Sequence, residues 1–126
     1  MTRILLVEDN ADAREALRAL LELDGYEVHA AADGTEGLDL ARTKQPEVAL
    51  IDIGLPGFDG YEVARRMKAL AASPPVMIAL TGYSEPDDRE RGRAAGFAAH
   101  LVKPVDPDDL TRLLTSLEIR GPGSRG

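Results

Sequence analysis

Five charged or hydroxyl side chains stand at the ends of short apolar runs. Glu8 and Asp9 follow "ILLV", Asp52 ends "VALID", Thr81 ends "VMIALT" and Lys103 follows "HLV". Carboxylates are the preferred ligands of hard divalent cations, which also accept phosphate oxygens as ligands. The residue types therefore indicate a cation site that could bind phosphate, provided that the fold brings them together.

Each of these residues also has an ordinary structural explanation. Asp9 or its neighbour Asn10 could cap a helix, Asp52 could be a turn residue, and Thr81 could be a β-branched strand residue. Lys103 could be a solvated loop lysine. Each explanation is reasonable for its own residue. The functional interpretation fails only if all of these explanations are correct at once.

Short apolar runs alternate with segments of helical period, which predicts a parallel α/β sheet. Runs such as "VALI" and "VMIAL" are continuous rather than alternating, as is typical of strands covered on both faces. The predicted strands are Arg3 to Glu8, Tyr26 to Ala31, Glu47 to Asp52, Val76 to Thr81 and Ala98 to Val102.

Helices are predicted between these strands and after the last one. Three of them have apolar faces, formed by Ala13, Leu17, Leu20 and Leu21, by Val63, Met67 and Leu70, and by Leu110, Leu113, Leu114 and Leu117. Two weaker helices are predicted from Gly34 to Lys44 and from Pro86 to Ala95. Gly25 is expected to end the first helix, and Asp106 to cap the last one before Pro107.

In a doubly wound sheet all parallel strands end at one edge, and ligands bind where the strand order reverses. If the first strand lies between the second and third, Glu8, Asp9 and Asp52 meet at that point, with Thr81 and Lys103 nearby. Two unit charges 4 Å apart repel by roughly 4 kcal/mol at an effective dielectric constant of 20. We therefore expect Lys103 and a Mg²⁺ ion to neutralise the three carboxylates.

The four segments "ILLVEDN", "VALIDIGLPGFDG", "IALTGY" and "HLVKPVD" together resemble the receiver domains of two-component response regulators. Their order and spacing match the family, and they extend from Ile4 to the last helix. The resemblance implies a five-stranded parallel sheet in the order 2-1-3-4-5, doubly wound and flavodoxin-like. It also implies phosphoryl transfer from a phosphohistidine on a sensor histidine kinase or a histidine phosphotransfer protein.

Roles follow from the resemblance residue by residue. Asp52 is the expected phosphoacceptor, and Glu8, Asp9, Asp52 and the backbone carbonyl of Gly54 are the expected Mg²⁺ ligands. Thr81 and Lys103 would contact phosphoryl oxygens. Such a domain is a switch that acts through the surface of its fourth helix, fifth strand and fifth helix, and it catalyses only its own phosphorylation and dephosphorylation.

Three further positions are expected to shape the loops of the site. Pro56 and Gly60 would shape the loop after Asp52, and Pro104 would follow Lys103 through a cis peptide bond.

Two residues depart from the commonest pattern of the family. Glu8 stands where aspartate is more usual and could bind the metal through a water molecule. His100 stands where the family usually has a tyrosine or phenylalanine that couples to Thr81. His100 is expected either to take part in the switch or to be a surface residue.

Other classes of function fit the sequence less well. An aspartyl-phosphate phosphatase needs a second acid two residues after its nucleophile, where this chain has Gly54. A flavodoxin-like cofactor binder needs a Ser, Thr or Gly phosphate loop after the first strand, where this chain has "EDNAD". A receiver-like interaction module that phosphorylation does not regulate stays an alternative.

Length and composition restrict the number of domains, the cellular location and the binding partners of this protein. The 126 residues suit one domain, expected over residues 1–119, and "RGPGSRG" over residues 120–126 is expected to be a disordered tail or linker stub. The chain lacks cysteines and has no apolar run near the length of a membrane span, and we expect no signal peptide. A net charge of −7 has the wrong sign for binding nucleic acid. We expect a cytoplasmic protein with no direct contact to nucleic acid or membrane and an output partner that the sequence leaves unknown.

Overall fold

Strands and helices alternate strictly along the chain. The computed structural model describes residues 2–55, 57, 59–70, 73–82 and 86–116. The elements in chain order are β1 (Arg3–Val7), α1 (Ala11–Leu23), β2 (Glu27–Ala31), α2 (Gly34–Lys44), β3 (Val48–Asp52), α3 (Gly60–Leu70), β4 (Val76–Thr81), α4 (Pro86–Ala95), β5 (Phe97–Val102) and α5 (Pro107–Ser116).

The predicted strands differ from the observed ones by no more than one residue at either end. The prediction that Glu8 closes the first strand is wrong, because β1 ends at Val7. The N–H of Glu8 still donates to the Ala31 carbonyl at 3.0 Å, but the chain then turns towards α1. Glu8 and Asp9 therefore belong to a turn rather than to the strand.

All five strands are parallel and lie in the order β2-β1-β3-β4-β5, which confirms the predicted doubly wound flavodoxin-like fold. The order reverses between β1 and β3, because β1 pairs with both β2 and β3. Val7 is paired with Ile51, and Asp52 with Leu80, so the carboxyl ends of the central strands meet at one edge.

The sheet is covered on both faces by separate apolar clusters. Leu5 and Val7 face the cluster that includes residues of α2, α3 and α4, whereas Ile4 and Leu6 face the one built with α1 and α5. All four of these side chains are fully buried, which explains the continuous apolar runs in the sequence. A sheet held from both sides gives the polar residues at its edge a rigid support.

The ends of the helices agree with the capping signals in the sequence. Asn10, rather than Asp9, caps α1, with its Oδ1 accepting from the Ala13 N–H at 2.9 Å. Asp106 caps α5 by accepting from the Asp108 N–H at 2.8 Å, and Gly25 follows α1 with a φ of 91°. Because Asn10 takes the cap of α1, the side chain of Asp9 is available for another role.

Some predictions lie outside the described residues. They concern Pro56, Leu117 and the segment from 117 to 126, which includes the predicted domain boundary and tail. Among the described residues, no helix has both the length and the apolar character needed to cross a membrane.

Candidate functional site

The carboxyl edge of the sheet brings three acidic side chains together. Glu8, Asp9 and Asp52 each offer a carboxylate oxygen, and these oxygens all lie within 4.8 Å of one another. Asp9 is exposed, whereas Asp52 is 6% exposed and Glu8 is fully buried. The three acids thus form a cluster that is open to solvent on the side of Asp9.

Glu8 is the most enclosed of the three acids. Its Oε1 accepts from Lys103 Nζ at 2.9 Å, and its Oε2 accepts from the Asn10 N–H at 3.1 Å. Burial raises the pKa of the Glu8 carboxyl above its usual value, and these two hydrogen bonds only partly offset that effect. The Glu8 carboxylate thus lies in the protein interior, against the lysine.

Lys103 joins two of the acids. Its Nζ lies 2.9 Å from Glu8 Oε1 and 3.2 Å from Asp52 Oδ2. Its backbone N–H donates to the Thr81 carbonyl at 2.7 Å just past β5, and the Lys103 to Pro104 peptide bond is cis, as predicted. Partial burial acts against the charged form, but the contacts with Glu8 and Asp52 outweigh it and raise the pKa of Lys103. The lysine is therefore an internal counter-ion at the end of the sheet.

Both oxygens of Asp52 have hydrogen-bond donors. Oδ1 accepts from the Gly54 N–H at 3.0 Å, and Oδ2 accepts from Lys103 Nζ at 3.2 Å. The side chain is 9% exposed at the last position of β3. Two donors fix the orientation of this carboxylate, and only a small part of it is accessible to a reactant from solvent.

The loop after Asp52 returns closely against the end of β3. The Gly60 N–H donates to the Ile53 carbonyl at 3.0 Å as α3 begins. A Cβ atom on Gly60 would lie 2.5 Å from the Asp52 carbonyl oxygen and 2.7 Å from the Ile53 Cα. Both are backbone atoms and cannot rotate away. Only glycine fits here without moving the loop that carries Gly54, which supports the loop-shaping role predicted for Gly60.

Replacing this glycine should therefore disturb both the fold and the site. We expect Gly60→Ala to lower the free energy of unfolding by about 2 kcal/mol, the usual scale of overpacking. Urea denaturation in chelator measures this loss. The control is Gly92→Ala in α4, where a Cβ would make ordinary contacts at 3.7 Å or more and helix propensity favours alanine. Equal stability of the two variants would contradict the close approach at Gly60.

Thr81 and His100 lie on neighbouring strands beside a cavity. Thr81 ends β4 and is buried, whereas His100 is half-buried on β5, where it is paired with Ala79. Both residues line a cavity of about 170 Å³, together with Tyr61 and Phe97, whose rings meet edge to face at 6.3 Å. The cavity provides room for a side chain of either strand to change its rotamer.

The structure adds one contact that the sequence analysis missed. Arg14 Nη1 donates to the Glu8 carbonyl at 2.9 Å and lies 3.5 Å from the Asp9 carbonyl. The available signal was an arginine in the first turn of α1, where the positive end of the helix dipole disfavours a cation. A partner near the N-terminus of the helix would offset this unfavourable interaction.

The donor atoms of the cluster fit a hard divalent cation. All three side chains offer carboxylate oxygens, and the backbone of Gly54 lies beside Asp52, as the 3.0 Å hydrogen bond shows. Mg²⁺ typically binds through one or two carboxylates and keeps several waters, which suits a cluster with one exposed member.

The fold is a doubly wound α/β sheet. Its acids, threonine and lysine lie at the carboxyl edge, beside the point where the strand order reverses, which is where ligands bind in this class of domain. Residues 4–115 match the family described as the response regulator receiver domain. The chain belongs to this family, which serves two-component signal transduction.

Relatives and solved structures agree with this assignment. Protein PilH of Pseudomonas aeruginosa is 35% identical over 93% of this chain and 98% of its own. Sporulation initiation phosphotransferase F of Bacillus subtilis is 33% identical over 86% of each chain. The chain spans only 50% of the response regulator MprA of Mycobacterium, to which it is 35% identical over 91% of its own length. The CheY-like receiver domain protein of Methanospirillum hungatei superposes with a TM-score of 0.86 at 32% identity, covering 93% of both chains.

Proposed function

We propose that this domain accepts a phosphoryl group on Asp52 from a phosphohistidine of a sensor histidine kinase or histidine phosphotransfer protein. One observation carries the proposal: a nearly buried carboxylate with both oxygens held by donors lies within 4.8 Å of two further acids. A relative whose name denotes a phosphotransferase in sporulation supports it.

The reaction is a displacement at phosphorus. An oxygen of Asp52 attacks, the bond between phosphorus and the donor nitrogen breaks, and the nitrogen keeps the electron pair, so that an acyl phosphate forms. Mg²⁺ held by Glu8, Asp9, Asp52 and the Gly54 carbonyl would supply positive charge to the phosphoryl oxygens. Attack of water on the acyl phosphate returns Asp52 to a carboxylate and releases inorganic phosphate. In this proposal the domain promotes its own phosphorylation and dephosphorylation.

Lys103 and Thr81 provide the remaining contacts of the product. Lys103 Nζ lies 3.2 Å from Asp52 Oδ2, so a small movement brings the ammonium to a phosphoryl oxygen on that carboxylate. The Thr81 hydroxyl, at the end of the neighbouring strand, donates to another phosphoryl oxygen. The lysine thus neutralises charge both before and after transfer.

Movement of Thr81 towards the phosphoryl group would carry the signal to α4, β5 and α5. His100 lines the same cavity as Thr81, which supports a role for its rotamer in the switch.

The decisive test is intact-mass analysis after incubation with Mg²⁺ and acetyl phosphate, a phosphodonor that needs no partner. The expected result is the gain of one phosphoryl group, which excess chelator prevents because the carboxylates then repel the donor. A full-rate gain in chelator would contradict the role of the metal. No gain under any condition would favour an interaction module that phosphorylation does not regulate.

Phosphorylation and signalling should separate at Thr81. We expect Thr81→Ala to gain the phosphoryl group but to lose most of the amide shift changes that activation causes in β5, because the hydroxyl contact is made mainly in the active state. NMR spectra with and without beryllofluoride, a phosphoryl mimic, measure these changes. Thr43→Ala, at an exposed position of α2, is the control. Shift changes of wild-type size in Thr81→Ala would exclude Thr81 as the switch.

A further inference from the structure

Arg14 makes contacts that distinguish it from the next arginine of the same helix. Arg18, one turn later, lies 3.8 Å from Glu15 and 3.4 Å from Glu22, both on its own helix. Arg14 instead donates to the carbonyl of Glu8 at 2.9 Å and lies within 3.5 Å of that of Asp9. Within the described part of the chain, no carboxylate oxygen lies within 4.0 Å of its guanidinium nitrogens. The side chain is therefore directed at the backbone of the acidic turn.

The position of Arg14 explains why it can reach this turn. It is the fourth residue of α1, and long side chains on a helix point back towards the N-terminus. Arg14 is half-buried, and its guanidinium lies against the two residues that connect β1 to the cap Asn10. Val7 and Ile51 are the last paired residues of β1 and β3, and the Glu8 carbonyl follows directly after them. Arg14 donates a hydrogen bond to this carbonyl.

The peptide unit between Glu8 and Asp9 has to direct two carboxylates differently. Glu8 points into the protein and is fully buried, whereas Asp9 is exposed. Their mutual repulsion, together with that of Asp52, favours any rotation of the turn that separates the charges. A guanidinium bound to the carbonyl of this peptide opposes such a rotation, and it stays charged at every accessible pH.

Arg14 differs in this respect from Lys103. Lys103 binds the carboxylate oxygens themselves, the same atoms that would contact a cation or carry a phosphoryl group. Arg14 acts through backbone carbonyls and leaves the carboxylate oxygens to other partners. Its effect therefore persists when a ligand enters the site.

We propose that Arg14 is a positioning residue of the cation site, which fixes the turn so that Glu8 and Asp9 present their carboxylates together. The proposal rests on the proposed function, because it assumes that these acids hold Mg²⁺. Partners that orient metal ligands typically contribute a factor of 10 to 100 in metal affinity. Arg14 is assigned the lower end of that range, because it acts through the backbone rather than through a ligand atom.

The test is an NMR titration with Mg²⁺ alone, followed at the amides of Asp9 and Gly54. The Kd for Mg²⁺ is expected to rise about tenfold in Arg14→Met, which keeps the aliphatic stem and removes the donor and the charge. Arg14→Lys keeps the charge but has a shorter reach, and its Kd for Mg²⁺ should lie between those of the wild type and Arg14→Met. Arg18→Met is the matched control, with the same change of charge one turn along α1, and should bind as the wild type does.

A merely structural role would give another pattern. Circular dichroism in chelator establishes which variants fold, and at saturating Mg²⁺ the folded variants should recover most of the wild-type rate of phosphorylation by acetyl phosphate. A wild-type Kd in either folded Arg14 variant, or an equal loss in Arg18→Met, would overturn the proposal. If the wild-type protein itself bound no Mg²⁺, both this proposal and the proposed function would fail, whereas wild-type binding by the variants would remove only the role of Arg14.

Discussion

Asp52→Asn is expected to gain no phosphoryl group from acetyl phosphate and Mg²⁺ under conditions in which the wild type gains one. The amide has nearly the shape of the carboxylate, and its oxygen can still accept from the Gly54 N–H as Asp52 Oδ1 does at 3.0 Å. It cannot supply the anionic oxygen that attacks phosphorus. The substitution thus removes the nucleophile while it keeps the loop after β3.

The fold of this variant should be intact, because Lys103 keeps its ion pair with Glu8 and the substitution removes one of three mutually repelling charges. Thermal denaturation in chelator checks this point, and Asp52→Asn should unfold at the same temperature as the wild type or a higher one. Asp12→Asn, an exposed acid in the first turn of α1, is the control and should be phosphorylated normally. Phosphorylation of Asp52→Asn at the wild-type rate would show that another residue accepts the phosphoryl group.

Much of the fold could be predicted from local signals in the sequence. Continuous apolar runs indicated strands buried on both faces, and single residues such as Gly25 and Asp106 marked the ends of helices. The order of the strands depends on pairings between distant segments, and the resemblance to a family was needed to choose it. The one-residue error at Glu8 arose because a strand end is set by hydrogen bonding to its neighbours, which residue type alone does not encode.

The composition of the site could be predicted better than its internal contacts. Glu8, Asp9, Asp52 and Lys103 were expected to meet because parallel strands end at one edge. The full burial of Glu8 and the exposure of Asp9 depend on how the turn packs against β2 and α1. The contact between Arg14 and a backbone carbonyl follows from rotamer and helix position, which leave no periodic pattern. The 2.5 Å approach at Gly60 likewise depends on where α3 docks.

Lys103→Met is expected to destabilise the protein strongly and in a way that depends on pH. Lys103 is the partner of Glu8, which is fully buried, and removing it leaves that carboxylate without its counter-ion. We expect a loss of about 3 kcal/mol in the free energy of unfolding near neutral pH. This value is at the lower end of the range for removing one partner of a buried ion pair. The lower end applies because the side chain of Lys103 is 29% exposed, and water screens its charge.

The direction of the pH dependence follows from the two pKa shifts. Burial raises the pKa of Glu8, so its ionisation opposes folding increasingly as the pH rises above the ordinary glutamate value. The pKa of Lys103 is also raised, so the stabilisation from its ammonium is complete below the ordinary lysine pKa and is lost only as the pH rises through the higher folded value. The loss in Lys103→Met should therefore be largest from about pH 7 to 9, and it should shrink as acidification protonates Glu8.

Urea denaturation in chelator at several pH values measures this loss, with Lys44→Met as the control. Lys44 is an exposed lysine at the end of α2, and its replacement should change stability little at any pH. A cation that binds the same acids should substitute for the missing ammonium, so millimolar Mg²⁺ should stabilise Lys103→Met more than the wild type. A loss of equal size at pH 5 and pH 8, unchanged by Mg²⁺, would show that Lys103 stabilises the fold through packing of its aliphatic chain rather than through its charge.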